Sequence, residues 1–220
     1  MNTHTRARGR IARALTAASV TGLAIAASAP SAASAPTQTD SVRVKARQHV
    51  LAGQRVRAAG NLASGRSGQT VLLQVSAGDG WRTVDRARTG AGGRYEAFWT
   101  PESTRRYGVR VRLADGSGKR TLRDGVTVYR RSAASWYGPG FYGNRTACGR
   151  TLGRATIGVA HKSLPCGTRV ALRYRGRTVT APVIDRGPYA GGREYDLTAE
   201  TKQRLGFGST GTVWSSPLRK

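Results

Sequence analysis

An alternating pattern between residues 168 and 184 constrains the fold more than any other feature of the sequence. Val170, Leu172 and Tyr174 occupy every second position, and three arginines lie on or next to the opposite face. Arg175-Gly176 supplies a turn, and residues 178–184 return with valine or alanine at every second position. Because side chains along a β-strand point alternately to opposite faces, this pattern predicts a hairpin with one buried face.

Further short elements surround this hairpin. The sequence predicts a strand over 134–137, followed by a glycine-rich loop, and a last strand at 212–214. Thr198 is placed to cap a short helix over 199–205, and Gly206 is placed to end it. The segment 134–215 is therefore predicted to be one small β-domain with a single short helix.

The preceding segment, 36–130, is predicted to be a separate all-β domain. Short apolar runs alternate with Gly/Asp turns, and no long helical periodicity interrupts them, which is typical of an immunoglobulin-like β-sandwich. Trp81 and Trp99 are either surface platforms for sugar rings or core residues. Residues 130–133 are predicted to link the two domains. The runs that predict strands start at residues 42, 71, 95, 107 and 125.

The charge of the chain limits its partners more than its fold. The formal net charge is +26, from 37 Lys and Arg against 11 Asp and Glu. Such a chain associates with polyanions: nucleic acid, anionic lipid, or the teichoic acids of a Gram-positive wall. The cellular location of the protein decides which of these polyanions it can meet.

The N-terminus predicts that location. Four arginines without acidic residues precede an apolar, small-residue core over 14–29, and Ala33-Ser34-Ala35 offers a cleavage step. This is the pattern of a secretory signal peptide over 1–35, too short for a stable membrane span. It contains no cysteine for a lipid anchor. The sequence thus predicts a secreted, wall-associated protein with no membrane anchor and no nucleic acid partner, acting as a monomer.

Both cysteines of the chain, Cys148 and Cys166, lie in the second predicted domain. In an exported protein, two cysteines 18 residues apart predict a disulfide. Its loop-closure contribution to stability is roughly 3 kcal/mol. Two cysteines and His161 fall short of the four ligands of a structural zinc site, so no metal is predicted.

Several motifs of this domain keep the order found in one known family. The domain resembles the double-psi β-barrel of the rare lipoprotein A (RlpA) family, septal cell-wall proteins that include lytic transglycosylases. The resemblance implies a six-stranded double-psi β-barrel at about 134–214 that acts on peptidoglycan glycan strands. The matching pieces are 134–141 (ASWYGPGF), Gly143, 146–147 (TA), 160–165 (AHKSLP), 167–170 (GTRV), 185–189 (DRGPY) and 196–197 (DL).

Only four carboxylates lie between residues 134 and 220: Asp185, Glu194, Asp196 and Glu200. Glu200 belongs to the predicted helix start, and Glu194 lies in a charged, glycine-rich loop. The other two each adjoin an apolar residue, and a carboxyl at the end of a buried strand is partly desolvated, which suits it to act as an acid. Structural alternatives stay open: Asp185 as a turn residue, Asp196 as a helix cap, His161 as a satisfied structural histidine.

The resemblance assigns roles to these residues. It implies that Asp185 is the catalytic acid, with His161 orienting it or stabilising charge, and Asp196 as a further catalytic candidate. It also supports the disulfide indirectly, because many relatives carry Asn and Phe where this chain has its cysteines. The implied substrate-binding residues are Trp136, Tyr137, Thr146, Arg150, Arg186 and Tyr189.

The reaction expected from this set is lytic transglycosylation, which needs one acid and no cofactor. That acid protonates the glycosidic oxygen while the C6 hydroxyl of muramic acid closes onto C1 as a 1,6-anhydro ring. Arg150 departs from the family pattern, since relatives commonly carry glutamate there. The alternative is therefore a non-catalytic, expansin-like module that binds or loosens the wall.

Overall fold

The computed structural model describes residues 39–189 and 191–218, and within them β-strands account for nearly all regular structure. The predicted all-β class is confirmed. The predicted signal peptide lies outside the described residues. The strands are β1 (Val42–Lys45), β2 (His49–Leu51), β3 (Val56–Leu62), β4 (Thr70–Ser76), β5 (Arg82–Arg88), β6 (Arg94–Trp99), β7 (Arg106–Leu113), β8 (Lys119–Thr121), β9 (Val126–Tyr137), β10 (Val159–His161), β11 (Arg169–Tyr174), β12 (Arg177–Asp185), β13 (Tyr195–Thr198) and β14 (Gly211–Leu218).

Six strands of the second part close into a barrel. Their order is β13-β10-β12-β11-β14-β9, and the parallel pairing of β13 with β9 completes the ring. Closure leaves no free edge in this sheet. The interior is apolar, and its fully buried side chains include Val170, Leu172, Val183, Tyr195 and Leu197.

The predicted hairpin is β11 and β12. Tyr174 faces Arg177 across a two-residue turn in which Arg175 and Gly176 have φ values of 43° and 87°. Two successive positive φ values match the twist of a tight hairpin, and glycine adopts the second without a Cβ clash. Val179, Ala181 and Val183 face the barrel core, as predicted.

The short helix α1 (Ala199–Leu205) has the predicted caps. The Thr198 hydroxyl accepts a hydrogen bond from the Thr201 amide, and Gly206 adopts the left-handed conformation with φ of 64°. These contacts satisfy amide and carbonyl groups that a helix of two turns leaves open. No helix in the described ranges is long and apolar enough to cross a membrane.

The first part of the chain builds its own core. β1, β3 and β6 form a three-stranded antiparallel sheet, and β4, β5, β7 and β8 pair in the larger sheet that continues through β9. Side chains from both sheets share one apolar cluster, which includes Leu62, Leu73 and Val111. Trp99 is buried there and packs edge-on against Tyr107, so it is a core residue.

Strand β9 joins the two parts without a break. Its twelve residues run through 130–133, so the predicted linker is a strand and not a loop. The first half of β9 pairs with β2 and β7, and its second half pairs with β13 and β14 of the barrel. A small core at this junction buries Leu51, Tyr129 and Ala171.

Candidate active site

A row of residues crosses four neighbouring barrel strands at one end of β10. Ala160 is the register partner of Asp185 on β12 and of Asp196 on β13, and Asp196 is the partner of Ser135 on β9. A register shift between Val159 and Ala160 brings Asp185 into this row, an effect typical of a β-bulge. Neighbouring strands lie about 4.8 Å apart, so the two aspartate Cα atoms are separated by roughly 10 Å.

Asp185 is held by backbone amides through one oxygen. The amides of Ala147 and Arg186 donate to its Oδ1 at 2.9 and 2.8 Å. Among the described residues, no hydrogen bond is made to Oδ2. The carboxylate is therefore fixed in orientation and keeps one oxygen for a ligand.

Asp196 lies on β13, half-buried, where Ser135 Oγ donates to its Oδ1 at 2.6 Å. Burial raises the pKa of Asp196 above its usual value, and the negative charge of Asp185 raises it further. The Ser135 hydrogen bond and the Arg193 charge oppose that shift. The raised carboxyl pKa expected at this site is thus found at Asp196. The alternative that Asp196 caps the helix is wrong, because Thr198 does so.

Tyr137 extends the row at the end of β9. Its hydroxyl is buried and has no hydrogen-bond partner in the part of the chain that the structure describes. Burial raises its pKa well above the usual value, and the charge of Asp185, a side-chain interaction with that carboxylate and the charge of Asp196 raise it further. The phenol is therefore a neutral donor close to both carboxylates. Its ring also meets Phe141 edge-on, with centroids 6.1 Å apart.

His161 has partners other than the predicted one. Its Nδ1 accepts hydrogen bonds from the amides of Ser163 and Leu164 at 3.1 and 3.0 Å, which puts the neutral ring's proton on Nε2. Nε2 lies 3.6 Å from Oε1 of Glu194. No hydrogen bond joins His161 to Asp185 within the described ranges, so the structure shows no direct contact through which His161 would orient Asp185, and its role in orienting Asp185 or stabilising charge stays a prediction. Burial lowers the pKa of His161, against the opposing charge of Glu194.

The sequence places Glu194 in a charged loop, and in the structure its carboxylate is bound by Arg130. Arg130 binds both of its carboxylate oxygens, one of them at 2.7 Å. The Glu194 amide donates to the carbonyl of Ala133 at 2.9 Å. Arg130 comes from the segment predicted to be a linker, so no local sequence signal pointed to this arrangement.

The loops beside Asp185 are cross-linked. The predicted disulfide between Cys148 and Cys166 is present, with the Cα atoms 5.7 Å apart. Arg186 donates from Nη1 to the carbonyls of Leu164 and His161, at 3.0 and 3.3 Å, and Nη2 lies 3.2 Å from Cys166 Sγ. Its guanidinium is therefore occupied in holding this loop, where the sequence suggested substrate binding.

The remaining predicted substrate contacts divide into two groups. Tyr189 and Arg150 are exposed and open to a ligand. Thr146 is buried, and its hydroxyl accepts from the Arg150 amide at 3.2 Å. Trp136 packs against the barrel core and has the Lys202 ammonium 3.9 Å from its ring centre. The sequence did not single out Ser135 and Phe141, although both lie in the family-matching piece 134–141, or Arg193, which lies outside the matching pieces.

The described side chains do not form a metal site. No group of three or more His, Cys, Asp or Glu residues converges anywhere in 39–189 or 191–218. The chemistry available to this surface is that of two carboxyls, a buried phenol and a rim of aromatic and basic side chains.

Comparisons with known proteins match this same part of the chain. Residues 130–214 match the family model described as lytic transglycolase. A Synechocystis protein named "Probable endolytic peptidoglycan transglycosylase RlpA" is 45% identical over 80 residues, covering 36% of this chain and 25% of that protein. An Aquifex aeolicus protein of the same name is 39% identical over 39% of this chain and 38% of its own length. The "Endolytic peptidoglycan transglycosylase RlpA" of Neisseria meningitidis is 37% identical over a segment that covers 44% of this chain and 42% of that protein.

The matched segment is an RlpA-like double-psi β-barrel, which confirms the resemblance drawn from the motifs. The chain spans between 25% and 42% of the length of these three relatives. Among solved structures, the Streptomyces papain inhibitor aligns with 41% of this chain over 94% of its own length, at 20% sequence identity. Its TM-score of 0.34 is too low to establish a shared fold.

Proposed function

We propose that this protein is a lytic transglycosylase that cleaves the glycan strands of peptidoglycan and leaves 1,6-anhydromuramyl ends. One observation carries the proposal. Two aspartates, Asp185 and Asp196, lie in one row on an RlpA-like barrel with only Ala160 between them. The printed names of the relatives, endolytic peptidoglycan transglycosylases, support the substrate and the reaction.

Asp185 acts as the acid and then as the base. In its protonated form, Oδ2 gives a proton to the glycosidic oxygen as the bond from that oxygen to muramic acid C1 breaks. The C6 hydroxyl oxygen of the same sugar bonds to C1 and closes the anhydro ring, and its proton returns to Asp185. One carboxyl therefore completes the cycle with no water consumed. General acid catalysis of this kind contributes about 10²–10⁴ in rate.

The neighbouring groups prepare this proton transfer. Burial, and to a lesser degree the charge of Asp185, raises the pKa of Asp196. The neutral form of Asp196 is thereby favoured, which reduces the negative charge beside Asp185. The Ala147 and Arg186 amides keep Oδ1 of Asp185 in place, so Oδ2 is the oxygen that faces the substrate. The Tyr137 hydroxyl supplies a neutral donor to the carboxylate left behind.

The exposed rim binds the sugar chain. Tyr189 and Phe141 present open aromatic faces, and sugar rings pack against such faces through their C–H groups. Arg150 adds a cation that suits the lactyl or peptide carboxylates of muramic acid. His161, Arg186 and the disulfide act behind this rim by fixing the loops that carry it.

The rest of the chain has an accessory role in this proposal. We assign residues 36–130 to an immunoglobulin-like β-sandwich, supported by two sheets that share one core. Secretion to the cell wall follows from the signal-peptide pattern of residues 1–35 and suits a peptidoglycan substrate. The strong positive charge suits anionic wall polymers as additional partners.

The test is a product analysis. The mature protein is incubated with purified glycan strands, and the products are examined by mass spectrometry for anhydromuramyl ends. Asp185→Asn, which keeps the size and hydrogen bonds of the side chain, is the matched control and should abolish these ends while binding persists.

A second function, a binding module without cleavage, is favoured by one observation. Arg150, exposed beside the loop that holds Asp185, replaces the glutamate common in relatives. If the wild-type protein binds glycan but produces no anhydromuramyl ends on naked or peptide-bearing strands, this second function replaces the first.

A further inference from the structure

A strongly basic groove lies on the first part of the chain, over the three-stranded sheet of β1, β3 and β6. It is an open groove of about 1760 Å³. Its floor is made by small side chains of the central strand, Ala59, Gly60 and Asn61. We call this surface the basic groove. The cations along it that form no ion pair in the described structure are Arg43, Lys45, Arg47, Arg55, Arg94, Lys119 and Arg120.

The acidic residues of the basic groove are already neutralised. Glu96 pairs with Arg57 on the neighbouring strand. Asp40 pairs with Arg66 at 3.3 Å and accepts a hydrogen bond from the Ser64 hydroxyl. Seven uncompensated positive charges therefore remain around one flat floor, where like charges repel unless an anion lies among them.

Strand geometry arranges these charges in rows. Arg43 and Lys45 alternate along β1 on its exposed face, so their Cα atoms are about 7 Å apart. Arg94 lies two strands away from Arg43, because both are register partners of Asn61. Their Cα atoms are therefore roughly 10 Å apart across the floor. Spaced cations on both sides of a shallow groove suit a linear polymer with repeated negative charges.

The groove lacks the aromatic platform on which the bases of a single-stranded nucleic acid or the rings of a neutral sugar chain stack. Tyr95 is the aromatic side chain that lines it in the described residues, and it is buried with its hydroxyl bonded to the Arg43 carbonyl. Nearby, the Phe98 ring is covered by the Arg55 guanidinium at 3.8 Å. Without an open aromatic face, bases and sugar rings have nothing to stack on.

We infer that the basic groove binds a polyol-phosphate chain, the phosphodiester polymer of the teichoic-acid class. Such a chain carries a phosphate at every unit and no base or ring that requires stacking. Arginine binds phosphate oxygens with two parallel hydrogen bonds, which suits five of the seven unpaired cations. The inference rests on the proposed wall location, and it is separate from the cleavage chemistry of the barrel.

The test compares two triple variants of the full chain with equal loss of charge. Arg43→Gln, Lys45→Gln and Arg94→Gln together remove cations from the basic groove. The control replaces Arg86, Arg88 and Arg123 by Gln, which are exposed in the same part of the chain but do not line the groove. Binding to a purified glycerol-phosphate polymer is measured by calorimetry over a series of salt concentrations, beside a single-stranded DNA of equal charge.

The groove variant should bind the polymer about a hundredfold more weakly. Each cation near an anionic surface contributes roughly fivefold to affinity, and the variant lacks three of them. The slope of log K against log salt should fall by about 2–3, while the control keeps most of its affinity and slope. Equal losses in both variants would overturn the site, since they mean diffuse attraction. Tighter binding of DNA than of the polymer would overturn the ligand. Cleavage of walls stripped of anionic polymers should be the same in all variants, so a failed cleavage assay is distinguishable from a failed groove.

Discussion

Removing the disulfide is predicted to weaken both the fold and the site. The bond between Cys148 and Cys166 spans 18 positions in sequence. The chain-entropy relation gives a loop of that size about 3 kcal/mol of stabilisation at 25 °C. In a unit of this length, 1 kcal/mol corresponds to about 2–4 °C in Tm, so replacing both cysteines by serine should lower Tm by roughly 6–12 °C.

The same substitution should also affect Asp185, the proposed catalytic acid. The Cys148 amide donates to the carbonyl of Ile184 at 3.3 Å, and the Ala147 amide beside it donates to Asp185 Oδ1 at 2.9 Å. The disulfide holds this loop against the end of β12. Without it the Ala147 hydrogen bond opens more often and Asp185 loses one of the two donors that fix it. Product formation should therefore fall even at temperatures where the variant is fully folded.

The assay is calorimetry and product analysis on the full chain, with and without reductant. Reductant should bring the wild-type Tm to that of the double serine variant and leave the variant unchanged. A Tm decrease of less than about 2 °C would refute the loop-entropy reasoning. An unchanged rate in a variant with the expected Tm loss would refute the coupling through Ala147.

Three further predictions concern single residues. Asp185→Asn should lower the rate of anhydro-product formation by about 10²–10⁴, and Asp196→Asn should lower it by less. Because burial raises the pKa of Asp196, its ionised form costs stability at neutral pH, so Asp196→Asn should raise Tm at that pH. Tyr137→Phe removes a buried, unpartnered hydroxyl, so stability should hold or rise by about 1–3 kcal/mol while the rate falls; a rate equal to wild type would exclude the phenol as a donor. His161 has a lowered pKa, so the unfolded chain binds the proton first and stability should drop as pH falls below 6.5; melting curves from pH 8 to 5 should show a smaller drop in His161→Gln than in wild type, with part of the remaining drop due to His49, whose pKa burial also lowers.

Several elements of the second part of the chain could be predicted because neighbouring residues decide them. The turn at Arg175-Gly176, the Thr198 cap and the Gly206 stop are each decided within a few residues, and all three were predicted correctly. The disulfide followed from cysteine count and expected export, and it is present. The order of the RlpA-like motifs predicted the barrel. Such features depend on short-range geometry, which a single sequence carries in full.

Other elements depend on partners far along the chain. The β-bulge that brings Asp185 opposite Ala160 is decided by pairing between β10 and β12, which sequence alternation does not reveal. The strand at 56–62 contains glycine, alanine and asparagine, and the strand at 82–88 carries three arginines, so neither has the apolar alternation of a predicted strand. Both are stable because neighbouring strands pair with them.

The roles of Glu194 and His161 show the same limit with more consequence for function. In sequence, Glu194 is an unremarkable loop acid, and the family motif points from His161 toward Asp185. In the structure, Arg130 binds Glu194, Glu194 approaches Nε2 of His161, and the other ring nitrogen holds the Ser163–Leu164 turn. Arg186, the residue after Asp185, donates a hydrogen bond to the carbonyl of Leu164 in that turn.

Strand β9 gives the two halves of the chain a physical connection to the same site. It carries Arg130 near the junction core, Ser135 against Asp196, and Tyr137 beside both aspartates. A shift of β9 along its axis would therefore displace Arg130 from Glu194, Ser135 from Asp196 and Tyr137 from its place beside the aspartates, because all three residues belong to one continuous strand. The first half of β9 is fixed by β2 and β7 of the accessory part, and its second half by β13 and β14. The accessory part thus helps to set the register of the strand on which the candidate active site is built.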